Sequence, residues 1–463
     1  MSISLAQVLL LLAAAAQSPP GPGAHGAETA VEKVTDLLPF PAILLVIGLV
    51  FFGTLAISRI SVKLGIPAIL GVLLLGLAIN IKYTVFDLGF INSLHTVSLA
   101  MILFYAGLKT NVKAIRGFLS FGIWLAVAGS LLTALILAVG IWFISSDTMG
   151  GIEFGFSQLG FPIALMVGVS MASTDSAAIE SVLAATGRSI PKRLGKILEF
   201  ESALNCSIAV LALAVATSFM ASTVTNGHGT VLRAEMIALA GQLVIGIVVG
   251  IGMGYFSRLS IEKLVTDRSQ LLILGLSLAL MAYGVGSLAG QAGFISAFVT
   301  GVFLGNNKYS NNLVSPERVS EIMLPFNEMT EIAIFFIFGL ISTPQMVLSV
   351  LPIAFLASLI LMFVARPLSL LMLSPISPFS ARENLLLSWC GLRGAVPLAL
   401  GFEGAEYIPK IIGIDPTIAH QLVQNCEGII FSIVVFNLLI QGISIPHFVK
   451  KLQFDAPATN QLA

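Results

Sequence analysis

From residue 41 onward the chain is a succession of apolar stretches separated by short polar loops, and this pattern limits what it can become. Inside a bilayer no water satisfies free backbone N–H and C=O groups, so such stretches must be helices that bond within themselves. We read thirteen spans, at about 41–57, 66–80, 92–108, 117–145, 161–185, 197–220, 235–256, 270–289, 292–305, 325–342, 348–374, 384–405 and 421–448. The expected fold is an all-α polytopic membrane protein embedded in a lipid bilayer. Composition agrees, with 57% hydrophobic and 10% charged residues and a mean hydropathy of +1.00. Soluble domains carry about a quarter charged residues, which argues against a water-facing enzyme. Lys+Arg 23 and Asp+Glu 23 cancel, so no electrostatic footprint for nucleic acid exists and none is expected as a partner. Cys206, Cys390 and Cys426 lie in apolar runs without metal-ligand spacing and define no disulfide framework. No His-Glu-x-x-His pattern or nucleophile elbow appears, which argues against an intramembrane enzyme. No cofactor is expected.

Residues 1–40 stand apart. Leu5 to Ala16 is a short apolar run followed by Gln17-Ser18-Pro19-Pro20-Gly21, similar to the end of a secretory signal but without an n-region Lys or Arg. A short extra span or a disordered tail is the alternative. Threading the thirteen spans alternately sorts seventeen basic residues onto one side, from Arg59 and Lys63 through Arg188, Lys192, Arg193 and Lys196 to Lys450 and Lys451. Lys33, Lys82, Arg233 and Lys410 lie opposite. The positive-inside rule then places the N-terminus outside and the C-terminus in the cytoplasm, with 451–463 a short cytoplasmic tail.

An internal repeat is visible. Gly71-Val-Leu-Leu-Leu-Gly76 resembles Gly301-Val-Phe-Leu-Gly305, and Phe104-Tyr105-Ala106-Gly107-Leu108 resembles Phe336-Ile337-Phe338-Gly339-Leu340. Spans 1 to 6 thus pair with spans 8 to 13, an odd span with an even one each time, so the expected fold has two inverted six-helix repeats. Inverted repeats mark secondary transporters, whose site lies where broken helices meet near the midplane. The fifth and twelfth spans carry the breaking signals. Ser173-Thr174-Asp175-Ser176 is a polar run within an apolar helix, where hydroxyls and freed carbonyls around one carboxylate suit a small cation. Cys390-Gly391-Leu392-Arg393-Gly394-Ala395-Val396-Pro397 offers glycines and an interior proline at the equivalent depth. Close helix packing is the other use of such glycines.

Arg366 and Arg393 fall within spans, where a charge is costly and needs a partner. Glu201 lies just over one turn inside the sixth span, with Asn205 on its own helical face and Ser202 and Cys206 on the next. Arg366 is the best partner for Glu201, giving a buried pair that braces the bundle.

These residues together resemble the monovalent cation:proton antiporters, in particular the NhaP-like branch of the sodium/proton exchanger family. Thr174-Asp175 is similar to its Thr-Asp motif and Glu201-Ser202-Ala203-Leu204-Asn205 to its Glu-Ser-x-x-Asn-Asp motif. Ala365-Arg366 is similar to its intramembrane arginine and Gly391-Leu392-Arg393-Gly394-Ala395 to its Gly-Leu-Arg-Gly-Ala motif. The resemblance covers about 41–450. It implies antiport of Na+, or of K+ or Li+, against protons in the bacterial inner membrane. It implies a homodimer with a dimerisation part at about 41–108 and 270–342. A core part at about 117–220 and 348–448 would carry the ion by an elevator-like movement. On the matching positions, Asp175, Thr174 and Ser202 would contact the cation beside Cys206, Glu201 would pair with Arg366, and Asn205 would support the broken helices. Ser173, Gly391, Arg393, Gly394 and Pro397 would shape the breaks.

One position departs from the resemblance: Cys206 stands where the family has the second Asp of Asn-Asp. A buried thiol without a positive partner stays protonated and is a poor ligand for hard cations. Two readings follow. Asp175 takes over the exchange of proton for cation, or the fold serves a different coupling, a different solute or an inactive, regulatory form.

Overall fold

The computed structural model describes residues 48, 52–57, 59–60, 67–79, 88–145, 160–224, 228–310, 314–410, 415–452 and 454. The signal-like segment at 1–40, most of the first span and nearly all of the tail lie outside the described residues. Within them every regular element is helical. Seven helices are long and apolar enough to cross a membrane, joined by four shorter apolar ones.

In chain order the principal helices are α1 (Ala68–Ile79), α2 (Leu88–Lys109), α3 (Arg116–Ile144), α4 (Phe161–Ser170), α5 (Ser176–Ala185), α6 (Lys192–Val224) and α7 (His228–Leu264). They continue with α8 (Arg268–Gly290), α9 (Gly293–Asn306), α10 (Pro316–Ile341), α11 (Leu351–Ile376), α12 (Ala381–Trp389), α13 (Ala395–Ala405) and α14 (Pro416–Lys451). The stretches read as single spans at 161–185 and 384–405 are each two helices with an interruption. α7 starts seven residues before its expected span, within a 37-residue helix.

The helices sort into two packing groups. In one, α9 lies against α2, α7 and α8, while α10 lies against α1 and α2. In the other, α3 packs on α4, α6 on α4, and α14 on α11 and α13. Bilayer-facing helices gain nothing from apolar burial alone, so close approach through small residues takes its place. Gly76 meets Gly339 where α1 crosses α10, and Gly107 meets Gly301 where α2 crosses α9. A Cβ added at Gly76 would stand 2.9 Å from Gly339 Cα, and one at Gly107 would stand 3.0 Å from Gly301 Cα. Large apolar side chains such as Val244, Val248, Phe363 and Leu371 point outward, as lipid permits and water does not.

Among the described residues three helices carry a π-turn, at Leu125–Gly129 in α3, Leu361–Ala365 in α11 and Leu438–Gly442 in α14. The second immediately precedes Arg366 and the third immediately follows Asn437, so each wider turn resets the direction of a buried polar side chain.

Candidate functional site

Two interrupted helices meet inside the second packing group. α4 stops at Ser170 and α5 begins at Ser176; α12 stops at Trp389 and α13 begins at Ala395. Ser, Thr and Asp offer the backbone local alternatives to helical bonding, and Asp175 uses this chemistry to start α5. Its extended backbone turns the chain, and its Oδ1 accepts from Ala178 N at 3.0 Å. That cap also sets a negative charge at the positive end of the α5 dipole. Opposite, Gly394 has no room for a Cβ because the Asp175 carboxylate fills that space. Pro397 lies in the first turn of α13, where its missing N–H breaks no helical bond. It therefore begins a helix, and the interruption is made upstream by Cys390 to Gly394.

Each break satisfies the other. Asp175 N donates to Leu392 O at 2.8 Å. Arg393 Nη1 donates to Ala172 O at 3.0 Å and to Ser173 O at 2.7 Å, so the partner of this buried arginine is freed backbone, not a carboxylate. Its own N–H donates to Asn437 Oδ1 at 2.8 Å, and Asn437 Nδ2 donates to Gln441 Oε1 at 2.5 Å. From the side, α6 clamps the first break. Asn205 Nδ2 donates to Thr174 Oγ1 at 2.9 Å, and Ser202 Oγ donates to Thr174 O at 2.9 Å while accepting from Ser176 N at 3.2 Å. Cys206 Sγ and Ser173 Oγ share a hydrogen bond of 3.0 Å.

Glu201 and Arg366 form a two-pronged pair, Nη1 to Oε1 at 2.6 Å and Nη2 to Oε2 at 2.8 Å. Both are almost fully buried, at 0% and 1% exposure. Gly391 lies against the guanidinium, where a Cβ would stand 3.3 Å from Nε. Stranding one buried charge costs about 3–5 kcal/mol. Glu201→Gln and Arg366→Gln are each expected to lower thermal stability in detergent, with the double variant less damaged than the sum of the two. Additivity in that cycle would refute the coupling.

A cavity of about 580 Å³ opens beside the crossing. Thr174, Asp175, Ser202, Cys206, Gly394 and Pro397 line it; Ser173, Asn205, Glu201, Arg366, Gly391 and Arg393 are not among its lining residues. The facing wall was not anticipated from sequence. It holds Tyr105 and Lys109 from α2 and Asn327, Glu328 and Glu331 from α10, with Glu180 of α5 alongside. Lys109 Nζ reaches Glu180 Oε2 at 3.1 Å, tying the two packing groups together. A signal for the two α10 acids was present, since both fall inside the span read at 325–342, where an acid is as costly as an arginine.

A helical membrane bundle with a carboxylate at the crossing of two broken helices is the architecture of secondary transporters. The chain belongs to the sodium/hydrogen exchanger family, whose transmembrane profile matches residues 47–451. It is 29% identical over 414 residues to the K+/H+ antiporter NhaP2 of Shewanella oneidensis, an alignment covering 87% of this chain and 65% of that protein. It is 26% identical over 416 residues to the Na+/H+ antiporter NhaS2 of Synechocystis, covering 87% and 69% respectively. The chain thus spans about 65% of the length of the NhaP2 relatives it matches. The structure of the sodium proton antiporter MjNhaP1 from Methanocaldococcus jannaschii superposes with a TM-score of 0.73, covering 90% of this chain and 99% of that one. At 19% identity that likeness is one of fold.

Proposed function

We propose that this chain exchanges a monovalent cation for protons across the membrane. The observation that carries the reading is Asp175, a carboxylate set into a cavity wall at a helix N-terminus, with no basic side chain paired to it among the described residues. One such carboxylate can be neutralised by a cation or by a proton but not by both, which is the elementary requirement of exchange. Thr174 and Ser202 supply the neighbouring oxygens. The Ser202 hydroxyl donates once and accepts once, leaving one lone pair, and Thr174 Oγ1 keeps one after accepting from Asn205. Cys206 stands beside them as a thiol, and Asn205, Ser173, Gly391, Arg393, Gly394 and Pro397 hold the breaks in shape.

The two packing groups supply the moving parts of an elevator: the group built on α1, α2 and α8 to α10 is the dimerisation part of a homodimer, and the group carrying Asp175 is the core that travels. The inverted repeat supports this assignment. Exchanging its copies turns the crossing of α1 with α10 into the crossing of α9 with α2, each closed by a pair of glycines, and sets the π-turn of α3 against that of α11. The cavity is lined by Glu180, Ala184 and Lys109 as well as Asp175, and Lys109 closes α2 at the start of one of the basic loops. The positive-inside rule assigns that end, and the C-terminus with it, to the cytoplasm.

A second reading, the same fold with altered coupling, is favoured by the thiol of Cys206 in the cavity wall. Purified protein in proteoliposomes separates the two. Imposed gradients of Na+, K+ or Li+ are expected to drive proton flux, read by a trapped pH dye. Absence of flux with every cation would overturn exchange by the native chain.

A further inference from the structure

The ion pair of Lys109 with Glu180 joins the two packing groups, and each of its ends is fixed to its own group. Lys109 is the last residue of α2. Just beyond it, Asn306 of α9 donates from Nδ2 to Thr110 O at 2.7 Å and accepts from Val112 N at 2.9 Å. The end of α2 is thereby pinned to α9, which it also meets at the Gly107–Gly301 crossing. Glu180 lies in the second turn of α5, the helix that Asp175 caps. Whatever displaces Asp175 therefore displaces Glu180 with it, and both residues of the pair line the cavity at Asp175.

This contact responds to sliding in a way that apolar packing does not. Phe338 of α10 and Phe402 of α13 meet across the same boundary, 4.9 Å apart at their ring centroids, and such non-directional contacts trade one neighbour for another as surfaces slide. An amine 3.1 Å from a carboxylate has a particular partner to lose. Glu199, the nearby acid of α6, has Lys196 as its own partner at 2.7 Å. Movement of one packed element past another by a helical turn covers about 5.4 Å, more than the contact spans. The two side chains are 31% and 49% exposed, and a pair so open to water biases an equilibrium by about fivefold at most. A device broken in every cycle has to be that weak; a pair as buried as Glu201 and Arg366 would trap the core in one position.

We propose that Lys109 and Glu180 are a latch between the two packing groups, closed in this structure, which holds the core where the cavity at Asp175 is open and parts each time the core moves. The latch rests on the elevator reading of the exchange, and the two are tested apart.

The experiment replaces the latch with a covalent one. In the double variant Lys109→Cys/Glu180→Cys, a short bifunctional methanethiosulfonate is expected to link the two positions, with each single variant treated alike to show what the native cysteines contribute. The linked protein should lose most of its cation-driven proton flux in proteoliposomes and regain it on reduction. A pair that only braced the fold would be replaced by the link with flux intact, so flux that persists in linked protein overturns the latch while exchange at Asp175 stands. A second measurement needs neither the link nor flux. Spin labels at Ile273→Cys of α8 and Leu371→Cys of α11, two exposed positions in different packing groups, report the distance between the groups in detergent. Lys109→Met and Glu180→Gln should each lower the ratio of the native distance population to any other by about threefold. The two together should do no more than either alone, and the exchange Lys109→Glu/Glu180→Lys should restore the native distribution. Distances unchanged in both neutral variants overturn the latch, including where the double cysteine variant does not fold. A native protein without flux for any cation overturns the exchange reading, and the distance measurement then decides the latch by itself.

Discussion

Asp175→Asn is expected to abolish cation-driven proton flux while leaving the protein folded and inserted. The substitution keeps the shape of the side chain and the oxygen that accepts from Ala178 N at 3.0 Å, so α5 retains its cap; asparagine is as good a capping residue as aspartate. What disappears is the charge. At an effective dielectric of about 20, one ionic contact at 4 Å is worth roughly 4 kcal/mol, close to a thousandfold in affinity, and the amide no longer binds a proton in exchange for the ion. The measurement is flux in proteoliposomes alongside melting temperature in detergent. Flux near that of the native protein would defeat the assignment of Asp175. A collapse of melting temperature would mean that its charge holds the crossing together.

The same cap illustrates how the sequence encodes this region. The polar run at 173–176 and the glycines at 391 and 394 are local signals, and each marks a break because no helix in lipid tolerates them cheaply. Glu201 and Arg366 lie 165 positions apart, yet the cost of either charge alone in a span made the pairing readable. Pro397 misled in detail, because a proline is silent about whether it ends one helix or opens the next, and here it occupies the first turn of α13. The partner of Arg393 was not readable, since the carbonyls of Ala172 and Ser173 become acceptors only once the helix is broken. The π-turns beside Arg366 and Asn437 leave no compositional mark. The α10 wall was missed for another reason. Glu328 and Glu331 were visible as acids inside a span, but only the fold sets them in the wall of the cavity that Asp175 lines.

Cys206→Asp is expected to raise cation-driven flux, and it is the substitution whose outcomes differ most between the two readings of this chain. The site can accept it. Position 206 lines the cavity, so a carboxylate there is reached by water, and Ser173 Oγ, 3.0 Å from the sulfur, can turn its hydroxyl to donate to it. Neither the Asn205 nor the Ser202 contact to Thr174 involves this side chain, so the crossing should keep its geometry. A carboxylate is a hard ligand where a thiol is not, and the cation would then meet two anionic groups on the crossing side. If the native protein already exchanges ions and the variant does so faster at low cation concentration, Asp175 alone sustains exchange and position 206 adjusts its affinity. If the native protein is silent and the variant is active, the chain is a differently coupled or inactive form of the fold, and the thiol is the reason. An active native protein with a variant indistinguishable from it would place position 206 outside the ion's path, and the grouping of Cys206 with Asp175, Thr174 and Ser202 around one ion would fall.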